Sequence, residues 1–193
     1  MNTNSTVRRM AILALLLALI FLFWYGVGTI NLGFIAITLS CLPVIIGTMA
    51  LGLKSGLVLA LCFASISFFA GVTQPQGLIA PIFSAHLAWG AVLCYVPRLL
   101  VPLATRFAYN RVKRHASRAL LMIPAAAGSL TNTIFFLGFL VGLYALLGIE
   151  NAQLLSLIGT TVLVGGLPEA AVAALVCPPV LMALRKARMI SEA

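Results

Sequence analysis

Residues 99–124 read LLVPLATRFAYNRVKRHASRALLMIP, and this stretch decides the fold. An apolar segment runs into Arg106, Arg111, Lys113, Arg114 and Arg118, and a second apolar segment follows at once. A basic connection gripped between two long apolar runs is the mark of a helix pair that crosses a bilayer and returns. Lys and Arg resist translocation and collect on the cytoplasmic side. Composition carries the same reading across the chain. Of 193 residues, 63% are hydrophobic and 8% charged, and the mean hydropathy is +1.17. Soluble domains carry about 25% charged residues. A soluble fold of this size could not hide so much apolar surface, so lipid is the solvent.

Six apolar runs are expected as spans: Met10–Trp24, Ile37–Leu51, Gly56–Gly71, Ala85–Ala104, Leu120–Leu147 and Leu154–Leu184. The last is long and is interrupted at Gly165, Gly166 and Pro168. Basic residues mark every second connection. Arg8 and Arg9 precede the first run, Lys54 lies between the second and third, and Arg185, Lys186 and Arg188 follow the sixth. The other three connections contain no Lys or Arg. The alternation predicts an all-α polytopic membrane protein with six transmembrane helices and both termini cytoplasmic. Residues 1–193 are read as one integral membrane domain. The first run lacks a small-residue cleavage site and reads as a retained span.

The net charge of +9 belongs to this topology pattern. No basic groove or aromatic platform accompanies it, so no nucleic acid is expected. Cys41, Cys62, Cys94 and Cys177 all lie in apolar runs without metal-ligand or CxxC spacing and read as small apolar side chains. The chain has no Asp, its acids are Glu150, Glu169 and Glu192, and its histidines are His86 and His115. With no phosphate loop, HExxH or GxSxG motif, neither enzyme, metal nor cofactor is expected.

Polar groups inside a membrane are expensive, so the few present are candidates for function. Asn132 is 14 positions past Arg118, roughly 21 Å along a helix from that basic anchor. Glu169 is 16 positions before Arg185, roughly 24 Å from it. Trp89 is 17 positions before Arg106, roughly 25 Å away, and His86 lies one turn further. The four share an outer layer and either line one pocket or serve as contacts between helices. Helical spacing puts Gly128, Ser129, Asn132, Phe135 and Phe136 on one face. Arg98 is only 8 positions before Arg106, about 12 Å from the inner anchor. Three readings are open for it: an ion pair with Glu169, an anion-binding group at a pocket floor, or snorkelling to the inner interface. The outer connections 25–36 (YGVGTINLGFIA) and 72–84 (VTQPQGLIAPIFS) are half apolar and Gly- or Pro-bearing. They read as lids over an outward pocket or as loops at the lipid interface. Ala11, Ala14 and Ala18 form a small-residue face on the first helix, suited to close helix approach.

These features together resemble the substrate-binding S components of energy-coupling factor (ECF) vitamin importers. The resemblance covers nearly the whole chain. It rests on Ala14-LLL-Ala18, on PVIIG at Pro43–Gly47, and on ALGLKSGLVLAL at Ala50–Leu61. YVPR at Tyr95–Arg98, GSLTNT at Gly128–Thr133 and GLPEA at Gly166–Ala170 are similar to the pantothenate-type branch. The resemblance implies a non-enzymatic vitamin-binding subunit of the cell membrane, with pantothenate the expected ligand. Asn31, Gln74, His86, Trp89, Arg98, Asn132 and Glu169 are its expected ligand residues. It implies docking through Ala11, Ala14 and Ala18 to an ECF module: a transmembrane coupling subunit (EcfT) and two ATPases (EcfA and EcfA'), which would hydrolyse ATP. One tension follows. Pantothenate carries a carboxylate, no outer-layer cation is visible, and Glu169 repels that carboxylate unless Arg98 neutralises it or Glu169 faces the hydroxyl end. Other readings are an S component for another water-soluble vitamin, an intramembrane enzyme, or a ligand-free structural subunit.

Overall fold

Apolar, uncharged sequence in a bilayer must satisfy its backbone internally, and helices do so within one segment. The computed structural model describes residues 3–26, 29–31, 36–75, 77–113, 117–149 and 154–187. The long elements are α1 (Thr3–Tyr25), α3 (Leu53–Thr73), α5 (Leu87–Val112), α6 (Arg118–Leu146) and α8 (Leu167–Lys186). Shorter helices are α2 (Cys41–Leu51), α4 (Ala80–Ala85) and α7 (Leu154–Thr160). Among the described residues, five helical stretches are long and apolar enough to cross a membrane, the last running from Ile158 to Lys186. The chain is therefore a helical, polytopic membrane protein, with exposed Leu, Val and Phe side chains along the outer faces of its helices.

The second expected span is the exception. Its run began at Ile37, but residues 36–38 pair as strand β2 with β1 (Thr29–Asn31) in an antiparallel hairpin, Ile30 opposite Ile37. Helix α2 then has only 11 residues, roughly 16 Å, about half a bilayer core. It is buried nearly throughout and returns into α3 at Gly52. There φ is +92°, a conformation that disfavours a side chain.

The interruption expected at Gly165, Gly166 and Pro168 is a π-helical turn. Thr161–Gly166 carries it, and the Leu167 N–H donates to Val162 O. Pro168 has no N–H to offer one turn back, and Gly166 has a reason to be bare. A Cβ there would lie 2.6 Å from Thr133 Cγ2 on α6, so the two backbones meet where only glycine fits.

Two apolar cores result. One, nearer the basic connections, gathers α1 (Ile12, Leu16, Ile20), most of α2, Leu59 and Phe63 of α3, Val101, Leu121, Ala173 and Leu181. The other joins Ile82, Leu93, Leu137, Leu140 and Tyr144 at the far end. The 72–84 connection belongs to the second core. Ile82 is fully buried, and the Tyr144 hydroxyl donates to Leu78 O at 2.8 Å. Arg9 ties the opposite end by donating to Leu51 O at 2.9 Å.

Candidate functional site

Between the two cores lies a layer of buried polar side chains. On α5 it falls between Leu93 and Val101, on α6 between Ala125 and Leu137, and on α8 just before Ala173. Its members are Ser67, Arg98, Ser129, Asn132, Thr133 and Glu169, each at most 9% exposed.

Arg98 is organised by its neighbour in sequence. Pro97 lacks an N–H, so the carbonyl four residues back, Leu93 O, loses its helical partner. The Arg98 side chain takes that role, donating from Nη1 to Leu93 O at 3.1 Å and from Nη2 to Ser67 Oγ at 3.0 Å. The guanidinium is thereby turned away from the basic end. Its carbon sits 4.7 Å from the centroid of Phe136 and 5.5 Å from that of Phe63, so aromatic rings of α6 and α3 hold it. This corrects the snorkelling reading: the freed carbonyl draws the side chain inward, about one turn above its own Cα. Five N–H donors are available on a guanidinium, and Nε has no partner among the described residues.

Around it the layer is under-satisfied. Asn132 Oδ1, Glu169 Oε1 and Ser129 Oγ are buried without hydrogen-bond partners among the described residues. The Thr133–Gly166 contact brings α6 against the π turn that leads into α8, and Asn132 and Glu169 lie close to it in sequence. The half-length helix α2 packs against α5, α6 and α8, and its first residue, Cys41, is fully buried. The Oγ of Ser40, which flanks α2, is also buried and has no partner among the described residues. Leaving each such atom unpaired costs about 1–3 kcal/mol. A polar ligand with several donors and acceptors is what this arrangement can take up.

The other sequence-predicted residues lie apart. Gln74 and His86 are exposed, and His86 stands in extended conformation at the head of α5. Trp89 is half-buried and lines an apolar groove of about 550 Å³ with Val92, Phe135, Phe139 and Leu143. Phe135 faces that groove while Phe136 meets Arg98, so the expected shared face of the two phenylalanines splits. The side chain of Asn31 lies outside the described residues, its backbone in β1. Sequence reasoning missed Ser67, Phe63 and Ser40. Only the Pro97–Arg98 dipeptide carried a readable signal for any of these contacts.

On α1, Ile12, Leu16 and Ile20 are buried at successive turns, which leaves Ala11, Ala14 and Ala18 on the exposed side. A statistical description of the family "ECF transporter, substrate-specific component" matches residues 8–181. The chain belongs to the ECF transporter substrate-specific component family. This S component is also 32% identical over 160 residues to the pantothenic acid transporter PanT of Lactococcus lactis subsp. cremoris (strain MG1363). The alignment covers 78% of this chain and 79% of that relative. All six polar-layer residues lie within the family match. Membership makes the protein a membrane-embedded transport subunit.

Proposed function

We propose that this S component binds pantothenate in the buried polar layer and delivers it across the membrane with an ECF module. The observation that carries the reading is the fixed Arg98 guanidinium with open donor capacity in the same buried layer as the Asn132 and Glu169 oxygens, which lack partners among the described residues. The likeness to PanT supports the choice of vitamin. In this reading Arg98 meets the ligand carboxylate, Asn132 the amide, and Glu169 the hydroxyl end. The lift that Pro97 imposes on Arg98 supplies the cation that depth counting along the helix failed to find. Asn31, Gln74 and His86 belong to the mouth, under the hairpin and the 72–84 segment.

The proposed topology has six crossings, with the hairpin and α2 together forming the second, and cytoplasmic termini. The exposed Ala11, Ala14 and Ala18 face would dock the coupling subunit EcfT, with ATP hydrolysed by EcfA and EcfA'. Other vitamins remain outcomes of the test. The experiment compares pantothenate with its uncharged alcohol analogue on wild type and Arg98→Gln. Wild type should favour pantothenate, and Arg98→Gln should lose that preference, a change of about 1.5–3 kcal/mol for a hydrogen bond to a charged group. Equal preference in both proteins would remove Arg98 from the carboxylate site. Binding of a different vitamin instead would overturn the substrate.

A further inference from the structure

Tyr109 sits near the basic end of α5 and is 3% exposed. Two guanidiniums converge on it. Arg106 lies over its ring at 5.8 Å, and Arg185 of α8 donates to its hydroxyl. Lys113, four residues on, shares the stripe of Arg106 and Tyr109 at helical spacing. Both arginines are half-buried. Like charges gathered on one ring repel, and the one acid among the described residues, Glu169, belongs to the polar layer. Such a cluster is built for an anion supplied from outside the described chain. Its depth says which anion. Arg106 lies roughly 28 Å along α5 from Leu87, and Arg185 is held at the same level by its bond to the Tyr109 hydroxyl. That length matches the thickness of a bilayer core, so both guanidiniums sit at the level of the lipid phosphates. Arginine suits phosphate through paired, directional N–H donors.

We propose that Arg106, Arg185 and Lys113, ordered by Tyr109, form a site for the phosphate of an anionic phospholipid. The site is independent of the vitamin layer. A nearby cation outside it supplies the control: Arg111 stacks on the exposed Phe107 at 4.8 Å, on another face of α5. The full-length protein in neutral detergent would be titrated with phosphatidylglycerol, with phosphatidylcholine, and with inorganic phosphate at matched ionic strength, and its Tm followed. Phosphatidylglycerol should raise Tm more than phosphatidylcholine. That excess should fall by more than half in Arg106→Gln and Arg185→Gln and persist in Arg111→Gln, which removes the same charge. Tyr109→Phe keeps the ring and loses the hydroxyl, and should fall between. Three results would overturn the proposal: no excess with phosphatidylglycerol, equal loss in Arg111→Gln and Arg106→Gln, or the same shift with inorganic phosphate alone. Should Arg106→Gln fail to fold, Arg185→Gln against Arg111→Gln decides alone.

Discussion

Replacing Pro97 with alanine separates two quantities that usually move together. Alanine restores an N–H that can donate to Leu93 O, the acceptor that Arg98 Nη1 now occupies at 3.1 Å. A proline inside a helix costs about 3 kcal/mol relative to alanine, while the charged hydrogen bond it makes possible contributes about 1.5–3 kcal/mol. The variant should therefore be as stable as wild type or more so, by about 0–1.5 kcal/mol. Binding should go the other way. Released from Leu93, the guanidinium regains part of the roughly 2 kcal/mol of rotamer entropy an arginine carries. Ordering it again for each ligand should raise the Kd for pantothenate about 3- to 10-fold. Calorimetric titration with pantothenate and with its alcohol analogue, beside thermal unfolding, measures both quantities. An unchanged Kd for pantothenate would refute the reasoning. So would an equal loss for the two ligands, since that would trace the effect to a distorted pocket and not to the cation.

Other expectations follow from close contacts. Gly166→Leu puts a side chain against Thr133, where even a Cβ is too close. It should destabilise by about 1–3 kcal/mol in thermal unfolding and weaken ligand binding by parting α6 from α8. Tyr144→Phe deletes the hydrogen bond to Leu78 O. It should cost about 0.5–1.5 kcal/mol and speed ligand release, read by stopped-flow fluorescence. Ala14→Trp on the exposed face of α1 should leave ligand affinity within about twofold while abolishing co-purification with the coupling subunit, because bulk blocks close helix approach.

Much of the fold was legible because membrane insertion is governed by composition. Uncharged runs name the long helices, and Gly166 with Pro168 marks the π turn. The second run misled because β2 and α2 are equally apolar, and an apolar run of that length carries no period that separates strand from helix. At the site, Asn132 and Glu169 could be placed by counting residues, since their side chains are short and report backbone depth. Arg98 could not. Its long side chain acts about one turn from its Cα, in a direction set by the carbonyl that Pro97 leaves free. His86 was grouped with Asn132 by depth, yet depth does not fix the facing of a residue at a helix head, and His86 is exposed.

The central claim is tested most directly by the thermal stability of the purified chain against a panel of water-soluble vitamins. Pantothenate at about 100 times its Kd should add roughly 2.7 kcal/mol to stability, and other vitamins should add nothing. No shift with pantothenate in folded protein, or a shift with a different vitamin, would contradict the account.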